Sequence, residues 1–174
     1  MENKFSSVSL EGIMSSYDFV IFDTCAISET FGKYFKECKT HYEALTHVNN
    51  TINFEKHIKE KVAGGSNIYI TSGVYDEIFD VESYSVKRTA KINDGKIRRN
   101  LIPVSRAIKE SRKTLRQLAK TFLDNNRILN FKNRGNKFYE KLSHRHVHLK
   151  DKLGLSETDF DIIISGLYLK ETER

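Results

Sequence analysis

Asp23, Glu77 and Asp159 are the residues of this chain whose types and contexts best suit chemistry. Asp23 closes the apolar run Phe19-Val20-Ile21-Phe22, and Glu77 follows a second run, Ile68-Tyr69-Ile70. In a parallel α/β sheet such positions lie at the carboxyl ends of strands, where sites form. Asp159 precedes Ile162, Ile163, Gly166 and Leu167, and helical spacing places it on their apolar face. Three carboxylates brought to one place repel each other unless a cation joins them. The trio therefore predicts a divalent-metal site, and its all-oxygen donor set suits a hard cation such as Mg²⁺. Each acid also has a plainer role. Asp23 can cap the helix after its strand, Glu77 can pair with a nearby lysine, and Asp159 stands three residues after Ser156, close to a capping box.

The net charge of +6 is unevenly distributed. Residues 87–120 hold twelve basic residues, among them Arg98, Arg99, Arg112 and Arg116, against only Asp94 and Glu110. The rest of the chain, with 17 basic and 21 acidic residues, is acidic on balance. Such asymmetry is the electrostatic footprint of a polyanion partner, most often nucleic acid. The plainer reading is a solvated helical face.

These side chains need a framework to position them, and 174 residues with 39% hydrophobic content suffice for one domain with a full core. Residues 1–16 have few apolar anchors and read as an arm or short helix. A first strand follows at about 17–22. Ile27 to Val48 reads as a helix on the recurrence of Phe31, Tyr34, Phe35, Cys38, Tyr42 and Leu45, and Thr51 to Val62 as another, stopped by Gly64-Gly65. After the second strand, Ser72 is placed to cap the helix carrying Val74, Glu77, Ile78 and Val81. Asp94-Gly95 marks a turn in the basic segment, which spans about 84–122. Pro103 suits the first turn of a long helix reaching Asp124, with Ile108, Leu115, Leu118 and Phe122 as its buried stripe. Arg127 to Phe131 reads as a third strand. Phe138, Leu142, Leu149 and Leu153 mark a helix ended by Gly154, and a last helix begins near Ser156.

This order of elements resembles a PIN domain, a compact nuclease fold. The likeness rests on Phe19-Val20-Ile21-Phe22-Asp23-Thr24, on Tyr69 to Ile78, and on Leu155-Ser156-Glu157-Thr158-Asp159 with Ile162-Ile163. It spans roughly residues 17–170. The resemblance implies an α/β fold with a small, mainly parallel sheet flanked by helices in three layers. It also implies a metal-dependent endoribonuclease using Mg²⁺ or Mn²⁺, with Asp23, Glu77 and Asp159 as the acidic site. Family members act in RNA processing and decay, or as toxins held by an antitoxin, so RNA and an acidic protein inhibitor are the implied partners, with a homodimer left open. Two departures stand out. The family usually supplies another acid beyond the last helix, and the chain reaches Arg174 before such a strand; Cys25 stands where the family often has Ser or Asn. The first departure keeps a catalytically incomplete RNA-binding or scaffolding domain as the alternative.

Phosphodiester hydrolysis needs an activated water, charge stabilisation at the phosphate and help for the leaving oxygen, all of which divalent cations supply. Asp23 is then the foremost ligand, Glu77 and Asp159 complete the set, and the Thr24 hydroxyl orients Asp23 or a phosphate. Arg98, Arg99, Arg112 and Arg116 would hold the RNA backbone without reading bases.

Other motifs carry less. His144, His146 and His148 would align for a soft metal on a strand, but the helical periodicity brings only His144 and His148 together, so a polar helix face is expected. Cys25 and Cys38 are read as small core fillers, in reduced form. The absence of a charged and apolar leader, and an apolar stretch at 162–169 too short to span a bilayer, point to the cytoplasm. With no Gly-x-x-x-x-Gly-Lys loop, ATP chemistry is not expected.

Overall fold

The computed structural model describes residues 9–27, 40–78, 101–132 and 135–172, with the side chains of 41 and 101–105 excepted. The described residues form a helix-rich α/β arrangement around a small parallel sheet. The elements are α1 (Leu10–Ser16), β1 (Val20–Ile21), α2 (Thr24–Ile27), α3 (His41–Ala63), β2 (Ile68–Thr71), α4 (72–78), α5 (Leu101–Asp124), β3 (Ile128–Leu129), α6 (Lys137–Leu153) and α7 (Glu157–Thr172).

The sheet order is β1-β2-β3, with Val20 opposite Ile68, Ile21 opposite Tyr69, Ile70 opposite Ile128 and Thr71 opposite Leu129. β2 is the central strand, and Ile68, Ile70 and Thr71 are fully buried. A strand enclosed in this way reads as a continuous apolar run rather than an alternating one, which is why Ile68-Tyr69-Ile70 is recognisable. The outer strands are only two residues long, shorter than the spans 17–22 and 127–131 expected from composition. Pairing, not apolarity, sets their length.

The main core joins Ile27 of α2, Ile58 and Val62 of α3, Ile68 and Ile70 of β2, Val74 and Ile78 of α4, and Leu115, Leu118, Ala119 and Phe122 of α5. Ile108, Leu115, Leu118 and Phe122 are all buried, as the helical spacing requires. α5 lies along α3, where Ala44, Val48 and Ile52 meet Ala107 and Ile108. A separate cluster of Tyr139 and Leu142 with Phe160 and Ile164 joins α6 to α7. Around it, the Phe131 and Tyr168 rings lie 4.3 Å apart and Phe138 and Tyr168 5.8 Å apart.

Several local expectations change. α3 runs without interruption through Asn49-Asn50-Thr51, so the helix expected to start at Thr51 is the second half of a longer one. Its cap is Thr40, whose Oγ1 accepts from the Glu43 N–H at 3.1 Å. Residues 28–39, with Phe31, Tyr34, Phe35 and Cys38, lie outside the described residues, as do Val81, Asp94-Gly95 and the basic residues from 87 to 99. The cap of α4 is Thr71 instead of Ser72: its Oγ1 accepts from the Val74 N–H at 3.3 Å, so the last strand residue also starts the helix. The buried stripe of α7 is Phe160, Ile164, Ser165 and Leu169, while Ile162 and Ile163 are half-buried. Phe138 and Leu153 of α6 are exposed, and Cys25 is exposed, not a core filler. Gly154 does end α6, with φ of 62°, the left-handed conformation that glycine adopts without penalty.

Candidate acidic site at the end of the first strand

Asp23 follows β1 and immediately precedes α2. Its backbone carbonyl accepts from the Ala26 and Ile27 N–H groups, and its Oδ2 accepts from the Cys25 N–H at 3.3 Å. The capping role open to Asp23 is thus realised, and it leaves the second carboxylate oxygen for other partners. Thr24, buried at the start of α2, donates from Oγ1 to Glu77 Oε2 at 2.6 Å. The Thr24 hydroxyl therefore holds Glu77.

Glu77 lies on α4, one turn beyond Gly73. Its other oxygen, Oε1, accepts from Thr158 Oγ1 at 2.5 Å. The two hydroxyls hold the carboxylate between α2 and the start of α7, tying together segments separated by 53 and 81 residues. Close approach of α4 and α7 is required for this. A Cβ on Gly73 would lie 3.3 Å from Thr158 Oγ1 and 3.4 Å from its Cγ2, so Gly73 makes room for the threonine that reaches Glu77.

Asp159 neighbours Thr158 in the first turn of α7. Its Oδ2 accepts from the Ser156 N–H at 3.2 Å and the Ser156 hydroxyl at 2.8 Å, while Ser156 Oγ accepts from the Asp159 N–H at 3.1 Å. This is a reciprocal capping box with Asp in place of Glu. Asp161 is directed elsewhere, accepting from the Tyr139 hydroxyl.

Asp23, Glu77 and Asp159 are all half-buried, and the Cys25 thiol registers their proximity. Burial is the first cause pushing this thiol up from its ordinary range, and the carboxylates of Asp23, Glu77 and Asp159 push it further in the same direction. Four groups from three distant segments thus share one electrostatic neighbourhood. Among the described residues, no set of three acidic, histidine or cysteine side chains stands ready as a cation-binding cluster. Each Glu77 oxygen accepts from one hydroxyl, which leaves a second lone pair on each for a further partner. The donor chemistry fits a hard dication, since carboxylate and hydroxyl oxygens are what Mg²⁺ and Mn²⁺ accept.

Sequence reasoning misses Thr158. The available signal is symmetry of motif: a threonine flanks the acid in both Asp23-Thr24 and Thr158-Asp159. Thr158→Val, which keeps the side-chain shape and removes the hydroxyl, is expected to lower stability by about 1.5–3 kcal/mol, the scale of a hydrogen bond to a charged group. Urea denaturation measures it, and an unchanged midpoint would show that Glu77 finds an equal partner.

Of the expected backbone-binding residues, Arg112 is half-buried and Arg116 exposed on α5, whereas Arg98 and Arg99 lie outside the described residues. His144, His146 and His148 are on helix α6, with the His146 and His148 rings 6.3 Å apart, and do not form a metal cluster. Among the described residues, no helix is long and apolar enough to cross a membrane.

No family model, curated protein or solved structure matches the chain.

Proposed function

We propose that this chain is a PIN-like endoribonuclease domain that hydrolyses RNA phosphodiester bonds with a divalent cation, Mg²⁺ or Mn²⁺, held at Asp23, Glu77 and Asp159. The observation that supports it best is the pair of hydrogen bonds from Thr24 and Thr158 to Glu77, which gathers the acid-bearing ends of α2, α4 and α7. The three acids stand in the sequence order the resemblance implies, and all three act on the Cys25 thiol.

In this reading Asp23 presents its uncapped oxygen to the cation, and Asp159 contributes a carboxylate fixed by its capping box. Glu77 completes the set directly or through water. Thr24 and Thr158 hold Glu77 in place and limit the motion of a charged group among like charges. When bound, such a dication would supply a water of lowered pKa and charge neutralisation at the scissile phosphate. The chain's own groups set where that water and phosphate stand. Basic residues of α5 and of the segment before it retain the RNA backbone.

The test is incubation of a labelled RNA with the chain in Mg²⁺ or Mn²⁺ and in EDTA. Cleavage that appears only with the dication is the expected result; equal cleavage in EDTA, or none in either dication, would overturn it. A second reading, a catalytically incomplete RNA-binding or scaffolding domain, is favoured by one observation: the Thr24 and Thr158 hydroxyls give Glu77 a structural role of its own, joining α2, α4 and α7. RNA retained but uncut under both dications would select that reading.

A further inference from the structure

The outward side of α5 carries Arg106, Lys109, Lys113, Arg116 and Lys120, spaced by three and four residues. At 100° per residue these five fall within an arc of about 80°, on a ridge about 21 Å long. The buried residues Ile108, Ser111, Leu115, Leu118 and Phe122 occupy the opposite side of the helix. The ridge is therefore fixed outward by the packing of α5 on α3. Lys109, Arg112, Lys113, Arg116, Gln117 and Lys120 line a shallow depression of about 430 Å³. Lys59 of α3 reaches Gln117, donating from Nζ to Oε1 at 3.4 Å, and extends the positive field across the helix pair.

Three features select the partner. The apolar side of α5 is spent in the core, so the helix cannot lay an apolar face into a bilayer as membrane-surface helices do. The depression contains no aromatic residue, so it lacks the stacking platforms through which single strands are held. Its lysines and arginines are strung along the helix with only Gln117 among them and no acid, suited to phosphates in a row.

We propose that this ridge is a docking surface for the phosphate backbone of a nucleic-acid duplex, bound without sequence preference. The proposal deepens the function above by naming base-paired RNA as the form presented to the acidic site, and rests on that reading only for the choice of RNA. The geometry is complementary. Each strand of a duplex presents a phosphate about every 3.4 Å of axis, so a ridge of this length spans several phosphates.

Binding in EDTA separates docking from cleavage. Fluorescence anisotropy of the full chain would compare a 20-base-pair RNA duplex, the equivalent DNA duplex, a single-stranded uridine 20-mer and a polyglutamate peptide over a salt series. The RNA duplex should bind at least tenfold more tightly than the single strand or the peptide. Its affinity should fall with salt at a slope of about −0.9 per phosphate contacted. Replacing Lys109, Lys113 and Lys120 together by Ala, a change that favours helix, should reduce that slope by about three contacts, with the circular dichroism spectrum unchanged. Single-strand or peptide binding as tight as the duplex, or a triple variant with the parental slope, would overturn the proposal. A DNA duplex bound tenfold more tightly than RNA would leave the ridge assigned to duplex phosphates and overturn its link to the RNA reading.

Discussion

Asp23→Asn is expected to reduce metal-dependent RNA cleavage by roughly 100-fold or more, at or above the upper end of what losing an outer-shell partner costs at metal sites. Asparagine retains the shape and a side-chain oxygen, and it caps helices as well as aspartate does. The contact to the Cys25 N–H, 3.3 Å from the carboxylate, can therefore persist. What disappears is the negative charge with which Asp23 is proposed to hold the cation. Folding should be nearly unaffected, with a thermal midpoint close to that of the parent. In the parent, Mn²⁺ should raise the midpoint by mass action on the folded state; in the variant that rise should largely vanish. Full cleavage by Asp23→Asn would sink the assignment of Asp23, and a rise in midpoint that persists undiminished would place the cation elsewhere.

The parts of this molecule legible from sequence are those in which local pattern and tertiary environment agree. β2 is visible because the central strand carries the run Ile68-Tyr69-Ile70, whose two isoleucines are fully buried. The inward face of α5 is visible because a long helix with one packed side repeats its apolar residues at helical spacing. The boundary errors come from residues that serve two neighbours. Thr71 ends a strand and caps a helix, and no propensity assigns both roles to one residue. The polar Asn49-Asn50-Thr51 segment suggests a break, but packing of Val48 and Ile52 against α5 carries α3 straight through it.

Within the acidic site, the identities of the carboxylates are legible and their hydrogen bonds are not. Sequence places an acid at a strand end; it does not say which hydroxyl will fold back over 53 or 81 residues to meet it. The same blindness hides the partner of Glu55. Spacing puts Glu55 on the side of α3 that carries Ile52 and Ile58, but only the fold shows it fully buried against Ser111 of α5. Long-range polar pairs leave no trace of their pairing, because periodicity assigns each residue a side of its own helix and not a partner on another.

Glu55 should make the stability of the chain fall as pH rises. Burial pushes its carboxyl up from 4.5 to about 8, an effect only partly opposed by the Ser111 hydroxyl, which lies 3.1 Å from Oε1 and 3.4 Å from Oε2. In the unfolded chain the group releases its proton near 4.5, whereas the folded chain keeps it until about 8. Between those values the folded state binds more protons than the unfolded state, so raising the pH favours unfolding. Below the window the contribution is constant, because both states hold the proton. Above it the full loss has been taken, because both have released it. Each pH unit between the two values corresponds to about 1.4 kcal/mol, so the loss across the window is on the order of a few kcal/mol. That is a large fraction of the stability of a domain this size. Glu55→Gln keeps the side-chain size without an ionisable group. Urea denaturation at pH 5, 6.5 and 8 should show the parent losing stability through the series while the variant changes much less, so that the variant is the more stable of the two at pH 8. The comparison of slopes holds even if the amide packs less well and lowers the variant at every pH. Parallel slopes for the two proteins would mean that the buried carboxyl releases its proton at an ordinary pH and that the α3–α5 interface tolerates the charge. Ser111→Ala provides the complement: it removes the hydroxyl that favours the charged form, so it should lower stability by about 1–3 kcal/mol and carry the decline to higher pH.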